Sequence, residues 1–483
     1  MGIRMLGHGS PRHARMHEVR VFDPSALRPI LGPSLERLVH ASPQALVDLT
    51  RQYGSPLNIV APAALTRNVD ALSAVLSRHD VRFEILYGAK VNKSPALVRA
   101  AVDAGIGIDV SSLYEMRDAL RAGVDPTRLC ATGPAKTRVF HMALVANGAL
   151  ISVDSIEELD DLETIVREIE PERPARVLLR YRPEEARASR FGIDAADLTA
   201  CMKRLARRSD SFRFEGFHFH LGGYRYEARA SAVRQLVCLV DAARAMGLEP
   251  TLIDIGGGMP IRYVDSEEYE AFLRGQDASH YRNDKVPTSF YPYGGSIDAC
   301  EWLERFLGSP CSGGMSIARY LNAEGLALAI EPGRSLADQT ALSIFRITRV
   351  KAIADGEVVI FAEGSSFSAC ETWFGSEFLV DPILVSAHPD EDVSPNAAPV
   401  RAWIAGHSCL DEDVLTNRLI HFSPKPQAGD LLVYANTGGY QMDLLENEFH
   451  RHPMPRRIAV AFDAAGGMDI SPDDRMENRH DFE

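Results

Sequence analysis

The sequence predicts an α/β fold, a (β/α)8 TIM barrel with a second, mostly β C-terminal domain. Three observations carry this. Eight short apolar runs recur between residues 83 and 330, most of them followed by a helical pattern. Several of those helical patterns stop at glycine, at Gly105, Gly123 and Gly247, where a helix end favours φ > 0. After Arg334 the helical periodicity fades and strand-like segments take over. A doubly wound open sheet is the alternative, but it rarely needs eight strands at such regular spacing.

Taken in order, residues 1–20 hold four arginines and no apolar stretch, which reads as a loose extension and not a secretory signal. Pro43–Tyr53 reads as a short helix with Ser42 as N-cap. A short strand, Pro56–Ala61, precedes an amphipathic helix over Arg67–Arg78. The eight runs follow: Phe83–Ala89, Ile106–Val110, Leu129–Thr132, Leu150–Val153, Val177–Tyr181, Gly216–Leu221, Thr251–Ile255 and Leu326–Ile330. Helices are expected between them at Ser94–Ala104, Leu113–Ala122, Ile156–Glu168, Ala195–Arg207 and Ala230–Met246. The interval from Met259 to Ala323 breaks the rhythm and reads as an insertion, expected to close over the barrel mouth as a lid or specificity element. A solvated excursion without function is the plain alternative. Ala341–Ile353, Val358–Glu363, Val400–Ala405 and Asp430–Ala435 are strand-like. The expected division is 1–20 as extension, 21–60 joining the β domain, 61–335 as barrel with an insertion near 260–322, and 336–483 as β domain.

Composition narrows the function classes. Apolar residues make up 46% of 483 and charged residues 24%, ordinary for a soluble globular protein. A formal net charge of −14 argues against nucleic acid or an anionic membrane as the main partner. No apolar run is long enough to cross a bilayer. Seven widely spaced cysteines without a C-x-x-C pair read as free thiols in a reducing compartment, which implies the cytoplasm.

A barrel gathers its chemistry just beyond the strand ends on one face. The residues there are polar: Lys90, Asp109, Ser111, Arg180, His220, Gly256-Gly257-Gly258, Glu331 and Arg334. Lys90 ends the first run. Lysine at a strand end is usually exposed, but a pocket favours its neutral amine, a nucleophile that forms Schiff bases with aldehydes. The three glycines let backbone N–H groups converge on a phosphate, although a tight turn would also use them. Glu331 and Arg334 could form a local ion pair, or reach separate targets such as a ring nitrogen and a phosphate. His218 and His220 alternate onto one side. A metal would need further ligands at suitable spacing, and none follows, so a stacked, hydrogen-bonded histidine is expected and no metal. Cys409 lies in a polar, acidic turn without a neighbouring base, which disfavours a cysteine hydrolase and leaves a proton donor open.

Together these segments resemble the fold-type III pyridoxal-phosphate decarboxylases, which include ornithine, arginine and diaminopimelate decarboxylases on an alanine-racemase-like barrel. The resemblance runs through Tyr87-Gly88-Ala89-Lys90-Val91-Asn92, Asp109-Val110-Ser111-Ser112 with Glu115, Ser189-Arg190-Phe191-Gly192 and His220-Leu221-Gly222. It continues through Ile255-Gly256-Gly257-Gly258, Glu331-Pro332-Gly333-Arg334, Cys409 and Gly438-Gly439-Tyr440, in family order over roughly residues 55–460. It implies a PLP-dependent amino acid decarboxylase. Lys90 would bind the cofactor as a Schiff base, and His220 would stack on its ring. Glu331 would pair with the pyridine nitrogen, and Gly256, Gly257, Gly258, Arg334 and Tyr440 would hold the phosphate. Asp109 and Arg180 would be supporting contacts. Cys409 matches a cysteine that reaches the partner subunit's site, implying a homodimer with shared sites. Catalysis would fall to Lys90, Cys409, Glu331 and His220.

The departures lie mainly on the substrate side. Gly223 stands where the family usually has a phosphate-binding serine, and Leu410 where an acidic residue usually follows the cysteine. The arginine-containing segment of diaminopimelate decarboxylases is not evident around Glu363-Gly364-Ser365-Ser366. Glu363 falls where ornithine decarboxylases place a substrate acid, and Asp411 and Asp413 are near Cys409, so a basic or diamino substrate is expected. Racemisation on the same scaffold and a non-catalytic homologue are the alternatives.

Overall fold

The computed structural model describes residues 3–4, 25–353, 357–368, 376–387, 399–445 and 450–473. It divides into two compact units. One comprises Thr66–Pro260 and Ile297–Leu336; the other comprises Met1–Leu65, Ile261–Ser296 and Ala337–Glu483.

The first unit is a closed parallel barrel. Its strands are Phe83–Gly88, Gly107–Val110, Leu129–Ala131, Leu150–Val153, Ala175–Arg180, Phe212–His218, Leu252–Asp254 and Ala327–Ile330. The eighth pairs with the seventh and with the first, which closes the ring. All eight apolar runs are therefore barrel strands. Buried on both faces, such strands must be apolar nearly throughout, which is why they stand out in the sequence. The crossover helices start on side-chain caps. Ser94, Ser112, Thr137 and Ser155 each accept the backbone N–H three residues on. Gly105, Gly123 and Gly247 end helices at φ values of 72°, 93° and 82°.

Strand parity decides what faces the barrel axis. Leu86, Cys130, Leu150, Leu178, Leu252 and Ala329 form one interior cluster. Two residues further along their strands, Ser152, Arg180 and Asp254 point the same way. A bulge in the sixth strand brings His218 into this set. Val177 pairs with Phe214 but Leu178 pairs with Gly216, so Glu215 is an extra residue. Phe214 and Phe217, three apart, thereby share a side and meet edge-on at 5.3 Å. Gly216 and His218 take the opposite, inward side. Gly216 has φ 143°, and a Cβ there would overlap the carbonyl oxygen of Leu252.

The second unit is built on a ten-stranded sheet. The early strand Leu57–Val60 lies inside it, antiparallel to Ala341–Ala352 and parallel to Arg456–Phe462. Helix Pro43–Tyr53 forms, although Ser42 makes no side-chain cap. Its proline at the first position needs no N–H acceptor. The insertion divides between the units. Helices Ala299–Gly308 and Ile317–Ala323 lie in the barrel unit, while Ile261–Ser296 lies in the β unit. Tyr263, Tyr269, Phe272, Tyr281 and Tyr293 of that stretch are buried in the β unit's core with Phe345, Phe378 and Tyr434. The stretch expected from its sequence to be a lid is thus core material; aromatic side chains this large gain more from burial than from an exposed loop. Among the described residues no helix is long and apolar enough to cross a membrane.

Gly216→Ala is expected to lower the stability of the barrel by about 3 kcal/mol, since both backbone conformation and space oppose a methyl group. Urea unfolding checks this; a change within about 0.5 kcal/mol, as for an ordinary surface site, would contradict the bulge geometry.

Candidate active site at the barrel rim

The first strand ends at Gly88, and one turn of 3-10 helix, Ala89–Val91, carries Lys90 past the sheet edge. Its ammonium nitrogen lies 3.5 Å from Oδ2 of Asp109. The Lys90 side chain keeps 40% of its surface exposed while Asp109 keeps none. So the amine is open to a ligand yet held toward the barrel axis. Asp109, on the second strand, also accepts the Thr132 hydroxyl at 2.7 Å.

Glu331 follows the eighth strand and is buried. Its Oε1 lies 3.4 Å from His218 Nε2 and its Oε2 lies 3.8 Å from His220 Nδ1. Ligand atoms of His218, Asp254 and Glu331 fall within 4.8 Å of one another, as do those of Asp109, Cys130 and Glu331. Three buried carboxyls this close cannot all ionise. Burial pushes Asp109 up to about 7, and the Glu331 charge adds to that, while Lys90 and Thr132 pull it back. Burial, again with Glu331, holds Asp254 well above the ordinary carboxylate range. Burial opposes ionisation of Glu331 too, but the His218 and His220 rings and Lys90 overcome it and hold its carboxyl below that range. Environments that push neighbouring carboxyls apart in this way favour the charge on Glu331 over Asp109 and Asp254.

Burial opposes a charge on both histidines, while Glu331 favours one. Burial lowers His218 to about 3, with Arg180 and Lys90 reinforcing it against Glu331. Its Nδ1 is 2.6 Å from the Ser152 hydroxyl. Burial likewise lowers His220. Its Nδ1 accepts the Gly257 N–H at 3.2 Å, so the ring proton belongs on Nε2. At 3.8 Å the contact with Glu331 is electrostatic and not a hydrogen bond.

Two glycine turns lie beside this cluster. Gly223, Gly256 and Gly258 all have positive φ, at 71°, 66° and 83°. A Cβ on Gly256 would come 2.5 Å from His220 Nδ1, and one on Gly257 would come 2.5 Å from the Glu331 carbonyl oxygen. Gly222 meets nothing within 4 Å and borders open space. Arg334 is buried three residues past Glu331. Arg180 donates to Asp154 Oδ1 at 2.7 Å and lies over the Phe191 ring at 4.6 Å. Asp154 also accepts the Gly192 N–H, so it ties the Ser189–Gly192 turn to the fifth strand.

The structure thus brings together Lys90, Asp109, Arg180, His220, Gly256, Gly257, Gly258, Glu331 and Arg334 in one unit. Ser152, Asp154, Asp254 and Arg229 join them without having stood out as site residues in the sequence. Inward parity from Leu150, Leu178 and Leu252 is the signal that finds Ser152 and Asp254. Nothing local marks Arg229, which sits in the first turns of helix Tyr226–Ala245 and is fully buried.

Cys409, Glu363, Asp411, Asp413 and Tyr440 belong to the other unit. Cys409 and Asp411 are exposed in a turn. Glu363 lies 3.5 Å from the Arg346 guanidinium. Asp413 differs from expectation. It is buried, and its carboxylate accepts the Ser366 N–H at 2.7 Å, the Ser366 hydroxyl at 3.0 Å and the Ser408 N–H at 2.9 Å. Those bonds fasten the Cys409 turn and fill the carboxylate that a substrate would need. Tyr440 has φ 74°, a left-handed conformation rare for a bulky side chain.

A ring with a basic nitrogen and a phosphate fits these residues. Buried His218 Nε2 has no hydrogen-bond partner among the described residues. The glycine turns form a cradle without side chains. A half-exposed rim lysine, a buried acid and side-chain-free glycine turns on a (β/α)8 barrel suit the chemistry of a pyridoxal-phosphate enzyme. Residues 63–285 match the family model described as pyridoxal-dependent decarboxylase, pyridoxal binding domain. The uncharacterized protein y4yA of Sinorhizobium fredii is 54% identical over 448 residues, covering 92% of this chain and 96% of that protein. A diaminopimelate decarboxylase of Zymomonas mobilis is 23% identical over 436 residues, covering 86% and 90%. The crystal structure of diaminopimelate decarboxylase from M. jannaschii with L-lysine superposes with a TM-score of 0.67 at 17% identity, covering 88% of this chain and 91% of that one. The chain belongs to the pyridoxal-dependent decarboxylase family, and pyridoxal phosphate is its cofactor.

Asp109 gives a pH signature. The folded barrel keeps a proton that the unfolded chain releases near 3.8, so stability falls as pH rises from there to about 7 and then levels off. In cofactor-free protein, Asp109→Asn is expected to flatten that fall. Thermal unfolding across the same pH range measures it, and an unchanged slope would remove Asp109 as its source.

Proposed function

We propose that this protein is an amino acid decarboxylase acting on a basic or diamino acid. The carrying observation is Glu331, buried at the end of the eighth strand with His218 Nε2 at 3.4 Å from one carboxyl oxygen and His220 Nδ1 at 3.8 Å from the other. Lys90 is the residue to bind the cofactor's aldehyde carbon, Glu331 its ring nitrogen and His220 its ring face. Gly256, Gly257, Gly258 and Arg334 take the phosphate, and the Gly438-Gly439-Tyr440 motif assigns Tyr440 to it as well. Asp109 and Arg180 position Lys90 and the Phe191 turn. When bound, the cofactor draws electrons from the substrate α-carbon so that its carboxylate can leave as carbon dioxide.

The chain's own groups then divide the work. Glu331, as an anion, keeps a proton on the ring nitrogen. His220, with its proton fixed on Nε2, offers a neutral face and does not compete for that charge. Lys90 would hold the cofactor until the substrate amine takes its place, and Cys409 or Lys90 would supply the proton that returns to the α-carbon. Glu363 and Asp411 are the acids assigned to a distal amino group, while Asp413 holds the Cys409 turn. The family match of Cys409 supports a homodimer with shared sites. Free, widely spaced cysteines support a cytoplasmic setting. The name of the Zymomonas relative supports a diamino acid as substrate.

Carbon dioxide release from a panel of basic and diamino acids is the test, with the optical purity of the recovered substrate measured alongside. Release from one member is expected; racemisation without gas would favour the alternative chemistry. Lys90→Ala is expected to abolish turnover. Cys409→Ala is expected to slow it by roughly 10²–10⁴-fold, the usual range for a lost proton donor. Full activity in either variant would dismiss that residue.

A further inference from the structure

We infer that Arg229 is a positioning residue that gives the phosphate cradle its charge and its shape, taking over from the serine hydroxyl missing at Gly223. This rests on the reading that the two glycine turns receive the cofactor phosphate.

The Arg229 side chain is fully buried, yet none of its nitrogens faces a carboxylate; among the described residues it forms no ion pair. All three nitrogens go to backbone carbonyls. Nη2 donates to Leu221 at 2.7 Å, to Gly223 at 2.9 Å and to Gly257 at 3.0 Å. Nε donates to Gly257 at 3.2 Å and Nη1 to Arg225 at 3.2 Å. One guanidinium therefore joins the turn after the sixth strand to the turn after the seventh. The indole of Trp302 closes over it at 5.6 Å.

A trans peptide directs its C=O and its N–H in opposite directions. Drawing the carbonyls of Leu221, Gly223 and Gly257 onto Arg229 turns the N–H groups of Gly222, Tyr224 and Gly258 away from it. Gly222 is where the space is open. The arrangement also explains Gly258, where a Cβ would overlap the guanidinium. Burial lowers the Arg229 pKa to about 10, so the charge survives at neutral pH. A buried cation with no acid to cancel it leaves a positive potential behind two turns of backbone donors, a setting suited to a dianionic phosphate.

The experiment compares pyridoxal phosphate with pyridoxal, which lacks the phosphate, in cofactor-free wild type and in Arg229→Gln and Arg229→Lys. Dissociation constants come from absorbance titration. Wild type is expected to favour the phosphorylated form strongly. Arg229→Gln is expected to lose about tenfold to a hundredfold of that preference, the range for a charge-assisted contact, with pyridoxal binding little changed. Arg229→Lys, which keeps the charge, is expected to fall between. A preference retained in Arg229→Gln would overturn the inference. A wild type without preference would instead overturn the assignment of the turns to phosphate. Should the glutamine variant not fold, the phosphorus-31 resonance of cofactor bound to wild type gives a further reading. It is expected to stay at its dianion position below the ordinary phosphate pKa of about 6. A resonance that titrates like free cofactor would overturn the positive cradle.

Discussion

The site depends on one anion kept where anions are costly. Glu331 sits at the top of the barrel interior within reach of two other carboxyls and two imidazoles. Moving a carboxylate out of water costs several kcal/mol even after the surroundings relax. The barrel meets that cost unevenly. Asp109 and Asp254 are made harder to ionise, and the charge is favoured on Glu331, beside His218, His220 and Lys90. Every strand end at the rim therefore has a bearing on the protonation state of one side chain. This is a constraint on the whole ring, because parity and register decide which residues face it.

Much of this is legible in the order of the residues alone. Buried parallel strands must be apolar, so the eight runs announce the barrel, and their polar successors announce the rim. Lys90, Asp109, Arg180, His220, Glu331 and Arg334 stand out because each closes or follows such a run. The rest depends on contacts between distant segments. Arg229 looks in sequence like any arginine on an amphipathic helix; only the fold shows it reaching Leu221 and Gly257. Asp413 looks like one of three acids in an exposed turn, but Ser366, 47 residues away, fills its carboxylate. The insertion looks like a loop because its aromatics follow no period. They pack irregularly against a sheet formed largely by residues beyond 340.

The two halves of the chain are specified differently. In the barrel unit the rim residues hold one another in place through short bonds between strands. In the β unit the turn bearing Cys409 is set by Asp413, and Glu363 is turned toward Arg346. The first kind of arrangement leaves little room for change. The second keeps Glu363 and Asp411 at or near the surface, where substitution alters charge without disturbing a core. A scaffold organised in this way can keep one coenzyme while its choice of amino acid varies.

The extra residue at Glu215 bears on how this lineage can lengthen or shorten its chain. Alternation makes a strand a counting device with two states, and a residue gained or lost in a regular ladder flips every position beyond it. The bulge absorbs one residue without such a flip, because Phe214 and Gly216 already pair with successive residues of the fifth strand. Removing Glu215 would therefore leave Phe217 on the outer side and His218 on the axis, so the sixth strand can shorten by that one residue without exchanging its sides.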